Sequence, residues 1–231
     1  MQNVTTNKQI YLSGGGDEKQ SFPLDDFFIH TFPENGRLLY IPVALRGHTL
    51  YPTAHLWMEG VLKLHKRSDI QIDMADDLSR YKFEDLTRIN GVYIGGGNTW
   101  SLMQEFFTTG FHNTLTLYSN AGGCVYGGSA GAIALGKSID THDDENTVEL
   151  KDVSGLDLLH GYSVACHFKE DQGERFKTWA TDNKLPIICL PEETGIIVED
   201  LVARCVGTKP YTIWFANGTK SDVNPDESYR L

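Results

Sequence analysis

A serine in a run of very small residues is the first feature of this sequence that suggests a chemical function. Residues 127–132 read Gly-Gly-Ser-Ala-Gly-Ala, so Ser129 lies in a Gly-x-Ser-x-Gly motif after the apolar run of residues 123–126. A nucleophilic serine in a sharp strand-to-helix turn needs neighbours with almost no side chain, because the backbone passes close to itself there. The N–H of Ala130, at the start of the helix, would face a developing oxyanion. We predict Ser129 as a nucleophile, and the alternative is an ordinary glycine-rich turn.

A serine hydroxyl needs an adjacent base, and eight histidines compete for that role. Five of them precede the motif, mostly in helix-like segments, and are predicted to be surface or packing residues: His30, His48, His55, His65 and His112. His142 lies in an acidic loop, and His160 closes another loop. His167 ends the strand-like run of residues 163–168, and strand ends are where an α/β fold presents catalytic groups. His167 is therefore the candidate base, with an ordinary histidine at a strand end as the alternative.

A second glycine turn, at residues 95–99, reads Gly-Gly-Gly-Asn-Thr and separates a strand-like run from a helix-like one. Asn98 or Thr99 would cap the helix that follows. The N–H groups of Gly96 and Gly97 at its start would suit an anionic oxygen. A tight turn that only lacks side chains explains the same residues, so both interpretations stay open on local grounds.

Strand-like and helix-like segments alternate along the chain. Apolar runs of strand length occupy residues 9–13, 38–43, 70–72, 91–94, 123–126, 163–168, 187–190 and 195–198. Helical spacing occupies residues 25–30, 49–64, 81–89, 100–107, 111–119 and 173–179. Residues 202–206 and 211–215 are predicted to form a C-terminal hairpin region, and residues 140–146 an acidic loop. The alternation predicts an α/β fold with a parallel sheet covered on both faces and a site at the carboxyl ends of the strands.

Composition and charge exclude several classes of protein. The chain has 231 residues, which predicts one α/β domain over residues 1–231, and no run approaches the ~18 apolar residues of a membrane span. Residues 1–6 lack the basic and apolar regions of a secretory signal, so we expect a cytoplasmic protein. The formal net charge of −11 and the absence of a Lys/Arg cluster argue against a nucleic-acid partner.

Metal binding is also not expected. The four cysteines, Cys124, Cys166, Cys189 and Cys205, have no zinc-like spacing and are predicted to be buried apolar residues. Residues 142–145 read His-Asp-Asp-Glu, but without a second ligand cluster a solvated acidic loop is the better interpretation.

Four motifs, in this order, make the sequence resemble peptidase family S51, which comprises dipeptidase E (aspartyl dipeptidase) and cyanophycinase-like enzymes. They are residues 95–99, residues 128–132, His167-Phe168 and Leu190-Pro191-Glu192, and together they span most of residues 90–198. The resemblance implies a single-domain flavodoxin-like three-layer sandwich with a mainly parallel central sheet, related to class I glutamine amidotransferases. It also implies a small peptide substrate, no cofactor or metal, and a monomer or a homodimer.

The same resemblance implies a Ser-His-acid triad. Ser129 and His167 match the nucleophile and the base, and counting along the family pattern without a gap places the acid at Asp144. The loop also offers other carboxylates, namely Asp140, Asp143 and Glu145. The backbone N–H groups of Gly97 and Ala130 match the oxyanion donors. Three residues of the motifs are predicted to contact substrate: Gly96, Asn98 and Glu192.

These observations predict a serine peptidase that hydrolyses short peptides through an acyl-enzyme, similar to dipeptidase E. The alternatives are another acyl hydrolase on the same triad, such as an amidase or esterase, and a non-catalytic binding or regulatory protein that keeps the fold. One departure concerns specificity. Dipeptidase E has a longer segment with arginines after the histidine, whereas residues 169–175 here are short and acidic and offer only Arg175. A preference for an aspartyl side chain therefore does not follow from the resemblance.

Overall fold

The computed structural model describes residues 8–231. Residues 1–6, from which we predicted the absence of a secretory signal, lie outside the described residues. The helices are α1 (Phe22–Ile29), α2 (Ala54–Leu64), α3 (Phe83–Leu86), α4 (Thr99–Thr109), α5 (Phe111–Asn120), α6 (Ala130–Leu135) and α7 (Gly173–Asn183). The first six strands are β1 (Gln9–Ser13), β2 (Arg37–Ile41), β3 (Gln71–Met74), β4 (Gly91–Ile94), β5 (Cys124–Gly128) and β6 (Ser163–Ala165). The other six are β7 (Ile187–Cys189), β8 (Thr194–Glu199), β9 (Val202–Gly207), β10 (Tyr211–Trp214), β11 (Lys220–Val223) and β12 (Ser228–Arg230).

Eight strands form a large sheet in the order β12-β9-β8-β1-β5-β4-β2-β3. The five strands from β1 to β3 in this order are parallel to one another, and β8, β9 and β12 add antiparallel pairs at the other side. Helices separate the parallel strands along the chain, as crossover connections between parallel strands require. The predicted α/β fold with a mainly parallel central sheet is therefore confirmed.

The two faces of this sheet have different side chains. Alternate residues of β1, β2, β4 and β5 place aliphatic side chains, such as Ile94 and Val125, on one face, where they pack against α4, α5 and α6. The other face packs against α1 and α2 and carries a row of four tyrosines in register, namely Tyr11, Tyr126, Tyr93 and Tyr40. Helices therefore cover both faces, which gives the three layers that the sequence predicted.

A second sheet, which the sequence did not predict, contains four strands in the order β11-β10-β7-β6. The prediction that residues 202–206 and 211–215 pair as a hairpin is wrong, because β9 pairs with β8 and β12 whereas β10 pairs with β7 and β11. The hairpins of this region are instead β8–β9 and β10–β11. The two turn residues of β8–β9, Asp200 and Leu201, both have positive φ, which is the conformation of tight hairpin turns.

No helix between residues 8 and 231 has both the length and the apolar character needed to cross a membrane.

Candidate active site

Ser129 occupies a strained turn between β5 and α6. Its backbone has φ 49° and ψ −110°, a region that residues other than glycine rarely adopt. The N–H of Ser129 donates to the carbonyl oxygen of Ser13 at the end of β1, at 3.2 Å. A side chain at Gly131 would collide with the carbonyl oxygen of Ile94 in β4, so α6 can lie directly against the sheet only with a glycine there. A strained turn between a strand and a helix is the geometry that a nucleophilic serine requires, and the role of Ser129 as a nucleophile stays a prediction.

His167 contacts the serine directly. Its Nε2 atom lies 2.8 Å from Ser129 Oγ, which is hydrogen-bonding distance. The residue lies two positions beyond the end of β6, and its N–H donates to the carbonyl oxygen of Gly14 at 2.9 Å. A side chain at Gly15 would collide with the imidazole ring. The turn after β1 therefore holds both the serine and the histidine through its carbonyl oxygens and leaves space for the ring.

Glu192 supplies the carboxylate that contacts the histidine. Its Oε1 atom lies 2.9 Å from His167 Nδ1, and its Oε2 atom accepts a hydrogen bond from Gln20 Nε2 at 3.2 Å. The hydrogen bond from the His167 ring lowers the pKa of Glu192 below its usual value, and the bond from Gln20 acts in the same direction. The carboxylate therefore remains ionised at neutral pH, the form that accepts an imidazole N–H.

The sheet explains why these two residues meet. Strands β6 and β7 are parallel neighbours, and Ala165 pairs with Cys189 at their carboxyl ends. His167 and Glu192 follow this pair by two and three residues, so both lie at the same edge of the sheet. The N–H of Phe168 donates to the carbonyl oxygen of Leu190 at 3.0 Å, which continues the pairing up to the site.

Asp144, which the sequence predicted as the triad acid, does not contact His167. Its Oδ2 atom accepts a hydrogen bond from the backbone N–H of Thr99 at 2.7 Å and lies 3.1 Å from His142 Nδ1. Burial alone would raise the pKa of Asp144, but the hydrogen bonds from His142 and Thr99 outweigh this effect and lower it. The prediction is wrong on geometry, because the side chain of Asp144 is engaged at the N-terminus of α4.

The other carboxylates of the loop do not contact the His167 ring either. Asp143 forms a two-point ion pair with Arg175, at 2.5 and 2.7 Å. Among the described residues, no carboxylate of residues 140–145 hydrogen-bonds to the His167 ring, whereas Glu192 does. Glu192, which we had predicted to contact substrate, is therefore the carboxylate at hydrogen-bonding distance from the His167 ring.

Asn98 also has a different place from the predicted one. Its Oδ1 atom accepts from the N–H of Ser101 at 2.9 Å, so the residue caps α4, and its Nδ2 atom donates to the carbonyl oxygen of Glu145 at 2.9 Å. Both polar groups of the side chain are engaged within the protein, and Asn98 does not line the active-site cavity. Its predicted contact with substrate is therefore not supported, while its predicted role as a helix cap is confirmed.

The predicted oxyanion residues lie beside the serine. Gly96 and Gly97 line the same cavity as Ser129, and a Cβ atom built on Gly96 would lie 3.2 Å from Ser129 Cβ. Ala130 is the first residue of α6, where backbone N–H groups have no partner within the helix. Two sources of N–H groups are therefore close to Ser129, and the assignment of Gly97 and Ala130 as donors stays a prediction.

Ser129 and His167 line a cavity of about 380 Å³. Glycines of the turns after β1 and β4 line it beside these two side chains: Gly15, Gly16, Gly95, Gly96 and Gly97. The remaining lining residues come from strands of the large sheet, from the turn before α1, and from α2 with the segment before it. They are Ser13, Tyr40, Tyr93, Gly128, Ser21, Leu45, Leu50, Thr53, Ala54 and Trp57. A cavity of this size accommodates a small ligand or a side chain with its flanking backbone.

Known protein families and individual proteins share sequence with this chain. Residues 10–206 match the family described as Peptidase family S51. Peptidase E of Streptomyces coelicolor is 28% identical, over 72% of this chain and 70% of that protein. A Drosophila melanogaster protein named "Probable alpha-aspartyl dipeptidase" is 23% identical, over 81% of this chain and 80% of that protein.

The fold is shared with solved structures as well. The crystal structure of a peptidase from an acI-B1 actinobacterium superposes with a TM-score of 0.68, at 18% sequence identity and over 97% of both chains. At that identity the likeness concerns the fold, a flavodoxin-like sandwich of the class I glutamine amidotransferase type. Because the family match extends over most of the sequence, the chain belongs to peptidase family S51 and is a serine-type peptidase.

Proposed function

We propose that this protein hydrolyses short peptides through a Ser129–His167–Glu192 triad and an acyl-enzyme intermediate. The observation that carries the proposal is the continuous chain of contacts in one cavity: Ser129 Oγ lies 2.8 Å from His167 Nε2, and His167 Nδ1 lies 2.9 Å from Glu192 Oε1. This is the arrangement that converts a serine hydroxyl into a nucleophile.

In the proposed mechanism, His167 Nε2 accepts the proton of Ser129 Oγ while Oγ attacks the carbonyl carbon of the scissile bond. Glu192 accepts the Nδ1–H of the imidazole, fixes its orientation and stabilises the imidazolium. The N–H groups of Gly97 and Ala130 donate to the oxyanion. His167 then donates its proton to the leaving amine, and a water molecule activated by the same ring releases the acyl group.

Two observations support a short peptide as the substrate. The cavity of about 380 Å³ is too small for a long folded segment. The names of the similar proteins from Streptomyces coelicolor and Drosophila melanogaster describe a peptidase and a dipeptidase.

The proposal is tested by labelling the purified protein with a fluorophosphonate and by incubating it with a library of di- to hexapeptides. We expect one label per chain at Ser129, release of amino acids or shorter peptides, and loss of both in Ser129→Ala. If Ser129 is labelled and the protein hydrolyses esters but no peptide, the protein is another acyl hydrolase and the proposed peptidase activity is wrong. Absence of labelling together with absence of hydrolysis would contradict the proposal.

A further inference from the structure

One wall of the active-site cavity is apolar and aromatic. Beyond the catalytic side chains and the glycine turns, the cavity is lined mainly by Tyr40, Leu45, Leu50, Ala54, Trp57 and Tyr93. The Trp57 ring lies 6.1 Å from the Tyr40 ring and 6.0 Å from the Tyr93 ring, measured between centroids. The three rings therefore form one packed cluster that joins the sheet to α2, and Trp57 is its exposed member, because Tyr40 and Tyr93 are buried.

The sheet fixes this surface in place. Tyr40 and Tyr93 belong to the row of tyrosines across the parallel strands, and the rings of Tyr93 and Tyr126 stack at 4.2 Å. Burial raises the pKa of both Tyr40 and Tyr93, so their hydroxyl groups stay protonated and uncharged at neutral pH. The wall therefore offers the exposed ring of Trp57 backed by two buried, uncharged tyrosines, and it carries no formal charge.

No cation is available to bind an acidic side chain in this cavity. Of the described residues that line it, none is lysine or arginine. Arg46, which follows the lining residue Leu45, binds the carboxylate of Glu105 and the carbonyl oxygen of Asp76. Arg175, the arginine nearest to His167 in the sequence, is paired with Asp143.

A negative charge lies at the edge of the cavity. Glu192 is bound to His167 at its edge. A substrate carboxylate in the cavity would lose its water, find no lysine or arginine among the described lining residues, and approach the carboxylate of Glu192.

Apolar side chains at the cavity remain open to water in the free protein. Leu50 is 57% exposed and Trp57 is 38% exposed, and both line the cavity that contains Ser129. An apolar substrate side chain would remove this surface from water, which is favourable. A charged or strongly hydrated side chain would gain nothing from the same contact.

We infer that this cavity binds an apolar or aromatic side chain on the acyl side of the scissile bond, and that Leu50 and Trp57 determine this specificity. The inference depends on the acyl transfer proposed above and names its substrate class. It differs from the aspartyl specificity that the name of the Drosophila melanogaster relative describes for that protein.

The direct test compares aminoacyl-7-amino-4-methylcoumarin substrates, which share one leaving group and differ only in the acyl residue. For the full-length protein we expect kcat/KM for leucyl and phenylalanyl substrates to exceed that for the aspartyl substrate on the order of a hundredfold, because a buried carboxylate lacks a partner. An asparaginyl substrate should lie between them. Equal or faster hydrolysis of the aspartyl substrate would overturn the inference, and so would a preference for a lysyl substrate.

Variants of the wall give a second readout. Leu50→Ala and Trp57→Ala should each lower kcat/KM for leucyl and phenylalanyl substrates about tenfold, with less than about threefold change for the aspartyl substrate. Leu50→Arg, at an exposed position, should raise the relative rate for the aspartyl substrate by about tenfold, because it supplies the missing cation. Leu56→Ala is the matched control, since Leu56 lies on α2 next to Trp57, is 64% exposed and does not line the cavity. Equal effects of Leu50→Ala and Leu56→Ala would contradict the role of Leu50.

A third measurement separates a wrong specificity from a wrong function. Aminoalkyl boronic acids that carry leucine-like or aspartate-like side chains bind a nucleophilic serine reversibly, and their competition with fluorophosphonate labelling of Ser129 requires no turnover. We expect the leucine-like compound to protect Ser129 at a concentration at least tenfold lower. Protection by the aspartate-like compound alone overturns the inference and leaves the proposed function intact. If Ser129 is not labelled and no substrate is hydrolysed, the proposed function fails, and the inference fails with it.

Discussion

The acidic loop of residues 140–146 and the turn after β7 both present carboxylates near the carboxyl edge of the sheets, and they hold them in different ways. In the loop, Asp144 binds the N-terminus of α4 through the N–H of Thr99, and Asp143 binds Arg175. In the turn, Glu192 follows a strand whose parallel neighbour carries His167. The loop has more carboxylates, but the turn has the one whose backbone is fixed beside the imidazole.

This difference shows that proximity to the histidine depends on strand pairing more than on the local density of acidic residues. The backbone positions of His167 and Glu192 are fixed by the sheet, because its hydrogen bonds continue beyond the two strands to Phe168 and Leu190. A carboxylate in a loop can instead bind the nearest helix N-terminus, as Asp144 does, or form an ion pair with the nearest cation, as Asp143 does.

Among substitutions that distinguish the acidic loop from the turn after β7, we expect Glu192→Gln to cause the largest loss of kcat. The amide cannot accept the Nδ1–H with a full negative charge, so the imidazole is less well oriented and its protonated form is less stable. We expect kcat to fall by a factor of about 10² to 10⁴, as for other substitutions of a triad acid. Glu193→Gln is the matched control, because this neighbouring carboxylate pairs with Lys209 and should change kcat less than about threefold. Similar losses in both variants would remove Glu192 from the triad.

A smaller effect is expected when the space that Gly15 leaves for the His167 ring is filled. In Gly15→Ala the new methyl group meets the His167 ring, so we expect a loss of kcat of about tenfold or more from misplacement of the base. Gly47→Ala is the control, because Gly47 also has positive φ but a side chain there meets no atom within 4 Å. Both variants should lose stability from backbone strain. Full activity of Gly15→Ala, measured with the preferred peptide, would show that the ring does not need this space.

A still smaller effect on catalysis is expected for Asp144→Asn. The asparagine keeps an acceptor for the N–H of Thr99 and loses only the charge at the N-terminus of α4. We expect kcat within about tenfold of the wild-type value and a decrease of about 0.5–1 kcal/mol in the free energy of unfolding, measured with urea. A hundredfold loss of kcat without loss of stability would indicate that Asp144, and not Glu192, is the triad acid.

The smallest expected change is a shift of one pKa. The hydrogen bond from His167 lowers the pKa of Glu192, so in His167→Ala the pKa of this carboxyl should rise toward the usual value for glutamate. The pKa of Asp144 should not change, because its partners are His142 and Thr99. NMR titration of 13C-labelled side-chain carboxyl groups would measure both. A shift at Asp144 and none at Glu192 would contradict the contacts that we describe.

Much of the fold follows from the pattern of the sequence. The runs at residues 9–13 and 91–94 coincide with β1 and β4, and the helix predicted at residues 111–119 corresponds to α5, Phe111–Asn120. The second sheet was missed, because the length of an apolar run does not specify its partner. Strands β11 and β12 are short and largely polar, so they carry no apolar signal.

The site was predicted in part for a similar reason. Ser129 and His167 are local signals, since one lies in a turn of small residues and the other follows an apolar strand, and the structure places them in contact. The contact between His167 and Glu192 depends on which strands are neighbours, and the sequence alone did not show that β6 and β7 pair. The signal that was available is a carboxylate directly after the strand of residues 187–190. Counting along a family pattern favoured the acidic loop instead.

The most direct test of the account is a pair of double-mutant cycles, read as the rate at which a fluorophosphonate labels Ser129. One cycle combines His167→Ala with Glu192→Gln, and the other combines His167→Ala with Asp144→Asn. If Glu192 acts through the histidine, its substitution should slow labelling about a hundredfold in the wild type and have almost no further effect in His167→Ala, whereas the effect of Asp144→Asn should be small and the same in both backgrounds. Strong coupling of His167 to Asp144, with none to Glu192, would contradict the assignment of Glu192 as the triad acid.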